Sequence, residues 1–387
     1  MNKKFELTAE FIRNTFKRPE GFIGLHEPVF TGNERKYTID AIDSTFVSSV
    51  GKYVDRFEEA IAEFTGAKRA IACVNGTNAL HLALLISGVK QGDEVLTQDL
   101  TFIATTNAIR YCNADPVFLD IDPDNLGLSA VSLRNWLEKN AEIRTLDSVK
   151  ECYNTHTNAR ISACVPMHTF GHPCDMDEIM AVCSEYSIKV IEDAAESLGS
   201  YYKNKHTGTL GHIGVISFNG NKIITTGGGG VLLFNDDELA ARAKHLSTQA
   251  KVPHKWEFVH DEIGYNYRMP NINAALGLAQ LEQINDFLAR KRSLAIHYKD
   301  FFKSIDIKFV EEPEYAKSNY WLNAIVFKNI EERDAFLEFS NASKIMTRPS
   351  WELMHRLKMY ENSQHGDLSN AIYIADRLLN IPSSVIF

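Results

Sequence analysis

The stretch RAIACVNGTNALHLALLIS, residues 69–87, is the clearest indicator of the fold in this 387-residue chain. Residues 69–74 form a short apolar run that predicts a β-strand, and residues 77–87 have the apolar spacing of a helix. A polar Asn-Gly-Thr turn separates the two patterns. The stretch therefore predicts a strand followed directly by a helix, the first half of a strand–helix–strand unit.

The same alternation continues along the chain after this stretch. Apolar runs predict strands at 94–98, 116–121, 161–167, 188–191, 214–218 and 231–234, and amphipathic patterns predict helices at 102–112, 129–139, 175–186 and 237–248. Strands that are continuously apolar and alternate with helices indicate an α/β fold. We expect a mainly parallel central sheet that is covered on both faces.

The pattern changes beyond residue 236. Residues 270–302 are almost continuously helical in pattern, and so long a segment usually links two domains. Residues 305–387 combine a predicted strand at 323–327 with a predicted helix at 331–339. They predict a smaller C-terminal α+β domain.

The composition excludes several classes of protein. Charged residues make up 24% and hydrophobic residues 44% of the chain, and the formal net charge is −9. This composition excludes a disordered chain and argues against general binding to nucleic acid or membrane surfaces. No segment reaches the ~18 apolar residues of a membrane helix, and the N-terminus lacks the apolar core of a signal peptide. Six scattered cysteines without a C-x-x-C pair are typical of a reducing compartment, so we expect a cytoplasmic protein.

Ligands of parallel α/β sheets bind beyond the carboxyl ends of the strands. After the first strand, Gly76 and Thr77 follow Asn75 and open a helix, where backbone N–H groups can bind an anion such as phosphate. The alternative is an ordinary N-cap formed by Asn75 or Thr77. After the strand 188–191, Asp193 is a carboxylate that needs a cation or hydrogen-bond donors, unless it caps a helix.

Lys222 lies between the strand 214–218 and the apolar pair Ile223-Ile224. A lysine in such a loop can be held away from water and act as a nucleophilic amine, whereas the usual alternative is a surface lysine. Four glycines follow at 227–230, but they fit neither a P-loop nor a dinucleotide fingerprint, because a predicted strand comes after them.

The segment HTFGHPCD, residues 168–175, offers histidine, cysteine and aspartate as metal ligands. Gly171 and Pro173 argue against a helix, so the four-residue spacing of His168 and His172 loses its meaning. We therefore predict no metal site.

The three positions after strands match the needs of one cofactor. Pyridoxal 5′-phosphate (PLP) requires a site for its phosphate, a carboxylate for its ring nitrogen and a lysine for its aldehyde. The helix start at residue 76, Asp193 and Lys222 supply these groups in this order along the chain. The combination predicts a PLP enzyme.

The chain resembles the fold-type I sugar-nucleotide aminotransferases of the DegT/StrS type over residues 25–384. The resemblance rests on seven segments: FEEAIAEFTGAKRAIACVNGTNALHLAL (57–84), QDLTFIATTNAI (98–109), DPVFLDID (115–122), PMHTFGHPCDMD (166–177), IEDAAESLGS (191–200), ISFNGNKIITTGGGG (216–230) and GYNYRMPNINAALGLAQL (264–281). It implies an N-terminal arm at 1–29, a large PLP-binding domain at 30–282 and a small C-terminal domain at 283–387.

The resemblance also implies a role for each matching residue. Lys222 matches the catalytic lysine that forms the Schiff base, and Asp193 matches the carboxylate that pairs with the pyridine nitrogen. Four further residues match cofactor contacts: Gly76 and Thr77 at the phosphate turn, Ser217 as a phosphate ligand, and Phe102 stacked on the ring.

The resemblance also concerns two further positions, Asn266 and Glu196. Asn266 matches an asparagine that reaches the phosphate of the neighbouring subunit's cofactor, which implies a homodimer with shared active sites. Glu196 stands where relatives often carry Gln or His near the phenolic oxygen of the cofactor. We keep Glu196 as a cofactor contact, although a carboxylate beside a phenolate requires that one of them is protonated.

The opening LHEPVFTGNERKYTIDAIDSTFVSSVGKYVDRFE, residues 25–58, is similar to the subgroup that aminates C4 of UDP-linked 2-acetamido-4-keto-6-deoxyhexoses for bacillosamine or legionaminic-acid-like surface sugars. We therefore expect transfer of an amino group from glutamate to a nucleotide-linked keto sugar. Trp321, Arg268 and Arg348 could line the substrate site, although structural roles fit them equally well.

Three rival functions fit the sequence less well. A PLP sugar dehydratase is expected to carry His in place of Lys222, and a non-catalytic regulator on this fold is expected to lose Lys222 or Asp193. A nicotinamide dehydrogenase would need the glycine fingerprint that the chain lacks.

Overall fold

The fold is described from a computed structural model that covers residues 3–387, with the backbone alone at residue 146. Its α-helices are α1 (Lys3–Thr15), α2 (Glu34–Asp43), α3 (Lys52–Thr65), α4 (Gly76–Ile86), α5 (Ile103–Tyr111), α6 (Ala130–Asn140), α7 (Met176–Glu185), α8 (Asp237–Ser247), α9 (Asn271–Leu281), α10 (Ile284–Ser304), α11 (Ile330–Ala342) and α12 (Ser369–Ala375).

Its strands are β1 (Arg69–Cys73), β2 (Glu94–Gln98), β3 (Asp115–Leu119), β4 (Ala141–Leu146), β5 (Val149–Asn154), β6 (Arg160–Val165), β7 (Lys189–Asp193), β8 (Tyr201–Tyr202), β9 (Lys205–His206), β10 (Ile213–Ser217), β11 (Gly230–Phe234), β12 (Lys251–Val252), β13 (Val259–His260), β14 (Lys308–Phe309), β15 (Ala316–Lys317), β16 (Asn323–Val326), β17 (Arg348–Pro349) and β18 (Leu378–Ile381).

The central sheet has the strand order β1-β11-β10-β7-β6-β2-β3. Strands β10, β7, β6, β2 and β3 are parallel to one another, whereas β11 is antiparallel to both of its neighbours, β1 and β10. Along this path only β11 therefore runs in the opposite direction. The prediction of a mainly parallel α/β sheet is confirmed, and the carboxyl ends of β1, β7 and β10 meet at one edge.

Strand β1 shows why these strands are apolar throughout. Ile71 and Cys73 pack in the cluster of α4 and α8, whereas Ala70 and Ala72 pack on the other face with Phe57 of α3. Burial of side chains on both faces leaves no place for the polar alternation of a half-exposed strand.

The hairpin of β4 and β5 was not predicted. Its two strands pair from Ala141 with Asn154 to Leu146 with Val149, and β5 continues onto β6. Most of the hairpin is exposed, so its segment AEIRTLDSVKECYN carries many charged residues. A charged segment does not have the apolar pattern of a core strand. Sequence patterns detect buried strands better than exposed ones.

The helical pattern at 270–302 is divided between α9 and α10, with a break at residues 282–283. At the break the Gln283 side-chain amide donates to Glu34 Oε1 at 2.7 Å, and Gln280 of α9 donates to the same oxygen at 2.6 Å. A buried carboxylate from α2 thus joins the two helices where they separate.

The C-terminal part is an α+β unit, as expected. Its antiparallel sheet has the order β14-β16-β18-β17. Helix α1, from the other end of the chain, packs onto the same cluster, and the ring of Phe5 lies 5.1 Å from that of Phe336. The proposed domain boundaries, 1–29, 30–282 and 283–387, stay a prediction.

The cysteines and the helices give two further facts. All six cysteines are buried and free of disulfide bonds. Within residues 3–387, no helix combines the length and the apolar character needed to cross a bilayer.

Candidate active site

A cavity of about 300 Å³ lies at the shared carboxyl edge of β1, β7 and β10. Seven of the predicted site residues line it: Gly76, Thr77, Phe102, Asp193, Glu196, Ser217 and Lys222. Larger grooves of about 640 and 700 Å³ contain none of these seven residues. The chemical nature of the lining residues, and not the volume of the cavity, therefore identifies the candidate site.

One wall of the cavity is the N-terminus of α4. The Asn75 side chain accepts the N–H of Asn78 at 2.8 Å and caps the helix, so the N-cap interpretation of this turn is correct. The first N–H groups of a helix have no intrahelical partner and carry partial positive charge. A Cβ at Gly76 would lie only 3.0 Å from Ser217 Cβ, so glycine permits the close approach of the helix to Ser217. The cap and an anion site are compatible here.

The glycine run 227–230 lies against the turn that begins α4. A Cβ at Gly230 would lie 2.6 Å from Asn75 C and 2.7 Å from Gly76 N, which are backbone atoms. Gly227 has a φ of +80°, in the left-handed region that favours glycine. The run therefore permits close packing of β11 against the helix start.

Asp193 ends β7 on the floor of the cavity, 2% exposed. Its Oδ2 accepts the hydroxyl of Thr105 at 2.6 Å, and its Oδ1 accepts the N–H of Ala195 at 3.2 Å. Burial raises the pKa of Asp193 above its ordinary value, against the opposing effect of these two donors and of the Lys222 charge. A turn follows Asp193, so the helix N-cap alternative is wrong.

Lys222 also lies inside the cavity, so it is not a surface lysine. Its side chain is 13% exposed, and its Nζ lies 3.2 Å from Glu196 Oε1. The same nitrogen lies 3.9 Å from the ring centroid of Trp321, in the range of a cation–π contact. The second oxygen of Glu196 accepts the N–H of Phe170 at 2.9 Å.

Glu196 is buried beside this amine, 3% exposed. Burial raises its pKa to about 7, although the Lys222 charge and the Phe170 N–H act in the opposite direction. The carboxyl group therefore titrates in the neutral range.

Aromatic side chains form the mouth of the cavity. Phe102 is 45% exposed, and its ring lies 5.9 Å from that of Trp351. Trp321 also lines the cavity, where its indole N–H donates to the carbonyl of Asn221 at 2.6 Å. A half-exposed Phe102 is available to stack on a flat ligand.

Three other candidates lie outside the cavity of their own chain. Asn266 is exposed and forms an isolated antiparallel bridge with Thr248. Arg268 lines a separate basic groove that includes Lys251. Arg348 donates to Asn341 and to the carbonyl of Thr347.

His168 cannot ligate a metal, because both of its ring nitrogens are engaged. Nδ1 accepts the N–H of Cys174 at 3.1 Å, so the ring proton lies on Nε2, which donates to Glu192 at 2.9 Å. Glu192 also accepts three backbone N–H groups, from residues 208, 210 and 211. This buried group is a structural support one residue before Asp193.

Sequence reasoning missed Thr105, Trp351 and Asn319. Thr105 lies in the first turn of α5, and Phe102 is the extended residue before that helix, so helical spacing does not connect the two. Trp351 and Asn319 carry no local signal, since they reach the site from the C-terminal part of the fold.

The residues of the cavity fit PLP. Helix N–H groups and the Ser217 hydroxyl suit its phosphate, buried Asp193 suits a protonated ring nitrogen, and Lys222 suits its aldehyde. The absence of a side chain at Gly76 gives a phosphate close access to the helix N–H groups. Fold and site together define a fold-type I PLP enzyme.

Comparison with known proteins assigns the family. A model of the DegT/DnrJ/EryC1/StrS aminotransferase family matches residues 29–386. The chain belongs to this family, as the sequence resemblance predicted, and it is a PLP-dependent aminotransferase.

Individual proteins support this assignment. GDP-perosamine synthase of Escherichia coli O157:H7 is 40% identical over 363 residues, 94% of this chain and 93% of that protein. GDP-perosamine synthase of Caulobacter vibrioides is 37% identical over 93% of each chain. The crystal structure of the aminotransferase TlmJ from Streptoalloteichus hindustanus superposes with a TM-score of 0.83 at 28% identity and covers 94% of each chain.

Proposed function

We propose that this aminotransferase moves an amino group from glutamate to C4 of a nucleotide-linked 4-keto-6-deoxy sugar, for surface-glycan biosynthesis. The observation that carries the proposal is the placement of Lys222 in one cavity with Asp193 and the N-terminus of α4. Family membership supports the aminotransferase chemistry.

Each residue has a proposed task. The N–H groups of Gly76 and Thr77 and the hydroxyl of Ser217 bind the cofactor phosphate. Phe102 would stack on its ring, and Asp193 would keep its ring nitrogen protonated. When bound, PLP acts as an electron sink and as the temporary carrier of the amino group.

Lys222 is the proposed general base and acid. With its amine free, Lys222 would act as a general base at Cα of the amino donor and as a general acid at the aldehyde carbon of the cofactor. The cavity restricts water at this amine, since the side chain is 13% exposed. The presence of Lys222 and Asp193 argues against a dehydratase or a non-catalytic regulator.

The identity of the sugar has two candidates. The N-terminal segment 25–58 supports the UDP-linked 2-acetamido-4-keto-2,6-dideoxyhexose of the bacillosamine and legionaminic-acid pathways. The similarity to proteins named GDP-perosamine synthase supports a GDP-linked sugar instead. Incubation with glutamate and a panel of UDP-, GDP- and dTDP-linked 4-keto sugars, with the product identified by NMR, decides between them.

We also propose a homodimer with shared active sites. Exposed apolar side chains occur in two segments, 39–50 with Ile39, Phe46 and Val50, and 256–263 with Trp256 and Phe258. Exposed apolar groups in such numbers are typical of a protein interface. Asn266 follows the second segment and does not line the cavity of its own chain, which supports a contact with the neighbouring subunit.

The test of the central role is Lys222→Ala. We expect the variant to lose amino transfer and the visible absorbance of the bound cofactor, because among the residues that the structure describes no other one lining the cavity offers a primary amine. Lys244→Ala is the control, since this lysine pairs with Glu58 outside the cavity. Retention of both signals by Lys222→Ala would refute the proposal.

A further inference from the structure

We propose that Glu196 is a second catalytic residue, which takes the proton from the Lys222 ammonium group and later returns it. The inference rests on the proposed function, because it gives Lys222 a partner in the same reaction. The family resemblance implies only a cofactor contact at this position.

The geometry brings the two groups together and holds the carboxylate in place. Glu196 Oε1 lies 3.2 Å from Lys222 Nζ, within reach for proton transfer. The other oxygen is fixed by the N–H of Phe170 at 2.9 Å. One oxygen is thus held by the backbone, and the other faces the amine.

The segment 318–321 positions both residues. Asn319 donates its side-chain amide to the carbonyl of Glu196 at 2.8 Å and accepts the N–H of Trp321 at 2.8 Å. Trp321 in turn donates to the carbonyl of Asn221, directly before Lys222, at 2.6 Å. Hydrogen bonds through Asn319 and Trp321 therefore connect the backbone of Glu196 to the backbone of Asn221, next to Lys222.

Burial is the main cause of the raised pKa of Glu196, and the Lys222 charge acts against it. The ionisable groups that act on Glu196 are Lys222 and Asp193, and the buried His26 also lies within the field of Lys222. Burial and the nearby lysines lower the pKa of His26 well below its ordinary value, so this ring is neutral at neutral pH. The pKa of Glu196, about 7, permits both protonation states near neutrality.

The proposed step is a simple proton transfer. A bond between Nζ and a hydrogen of the Lys222 ammonium breaks, the electron pair stays on nitrogen, and an O–H bond forms on Glu196. A carboxylate and an ammonium become a carboxylic acid and an amine, without a co-reactant and with no change in total charge. The amine regains its lone pair without releasing a proton to water.

A purely structural role for Glu196 makes a different prediction. Glutamine has the same shape as glutamate, can accept the same N–H of Phe170 and can contact Lys222, but it does not titrate. Glu196→Gln therefore keeps the hydrogen bonds of a structural role and removes only the ability to transfer a proton.

The experiment is a pH titration of the visible absorbance of the holoenzyme, which reports the protonation state around the Lys222 nitrogen. We expect an inflection near neutral pH in the unchanged protein and its loss in Glu196→Gln. Glu196→Asp retains a carboxyl group and should retain an inflection with a shifted midpoint. The half-reaction of Glu196→Gln with glutamate should slow on the order of 10²-fold, the scale of general acid–base catalysis.

Glu58→Gln is the matched control, because Glu58 is another largely buried carboxylate that binds a lysine amine, Lys244 Nζ at 2.7 Å, outside the cavity. It should retain the titration and the rate. A Glu196→Gln holoenzyme that titrates and reacts like the unchanged protein overturns the inference alone. An unchanged protein without the visible band, or without transfer to any keto sugar, refutes the proposed function instead.

Discussion

The hydroxyl of Thr105 acts on a buried carboxylate of the cavity. It donates to Asp193 Oδ2 at 2.6 Å in a site where burial raises the pKa of Asp193. A hydrogen bond to a charged acceptor stabilises the ionised form and so opposes the effect of burial. Thr105 therefore favours the anionic form of Asp193, which is the form that the proposed pairing with a protonated ring nitrogen requires.

Thr105→Val tests this role with little change in shape. We expect the pKa of Asp193 to rise further, because the valine methyl group cannot donate. A hydrogen bond to a charged group contributes ~1.5–3 kcal/mol, so kcat/KM should fall about 10-fold to 100-fold. The acidic limb of the pH–rate profile should move to higher pH.

The adjacent Thr106 provides the control. Its hydroxyl donates to the carbonyl of Ile103 at 3.0 Å and makes no hydrogen bond to Asp193. Thr106→Val should keep the pH profile of the unchanged protein. Equal profiles for both valine variants would show that Thr105 does not act on Asp193.

At the scale of elements, the contact of β11 with the start of α4 shapes the wall of the cavity at Gly76. Gly230 begins β11 and pairs with Cys73 of β1, directly before the turn that leads into α4. Its backbone lies so close to Asn75 and Gly76 that no side chain fits between them. The position of the helix N-terminus therefore depends on a glycine in another element.

Gly230→Ala should disturb both stability and cofactor binding. The added Cβ would lie 2.6 Å from backbone atoms, which cannot rotate away. We expect a loss of ~1–3 kcal/mol in the free energy of unfolding, as for other overpacked sites, together with weaker PLP binding. Denaturant unfolding and a titration of absorbance with PLP measure the two effects.

Gly228→Ala is the control from the same glycine run. Its nearest atom would be the carbonyl of Val74 at 3.9 Å, an ordinary contact, and its φ is not in the left-handed region. Its stability should change by less than ~0.5 kcal/mol. If the two alanine variants were equally stable, the close approach of β11 would have no energetic importance.

At the scale of the whole molecule, an acidic chain must bind anionic ligands. The formal net charge is −9, so the overall field repels phosphate. The attraction must therefore come from local groups, such as the N–H groups of α4. The groove lined by Lys251, Lys255 and Arg268 adds positive charge close to Asn266 along the chain.

Mixed dimers test whether neighbouring subunits share their sites. Asn266→Asp should place a negative charge near the partner's cofactor phosphate, and Lys222→Ala removes the catalytic amine. A dimer of one chain of each kind would contain one site with both residues intact. We expect activity after the two inactive variants are unfolded together and refolded, measured as amino transfer per subunit.

Each variant refolded by itself is the control and should stay inactive. If sites were formed within single chains, the mixture would have no more activity than the sum of its components. Asn266 is exposed, so we expect the thermal unfolding of Asn266→Asp to match that of the unchanged protein. A match excludes a folding defect as the cause of its inactivity.

The sequence predicted most strands and helices of the central sheet, their mainly parallel arrangement and the residues after β1, β7 and β10, although it missed the hairpin of β4 and β5. These features were predictable because buried strands are continuously apolar and because parallel strands bring their carboxyl ends to one edge. Lys222, Asp193 and Gly76 could therefore be assigned to one site from the order of residues alone.

The surroundings of these residues depend on the tertiary structure and could not be predicted from the sequence. Thr105, Asn319 and Trp351 reach the site from separate parts of the chain, and no local pattern predicts the partners that they contact. The neutral-range pKa of Glu196 likewise arises from burial and from Lys222, which is 26 residues away in sequence. Periodicity reports which face of an element is buried, whereas the environment of a charge depends on which distant elements enclose it.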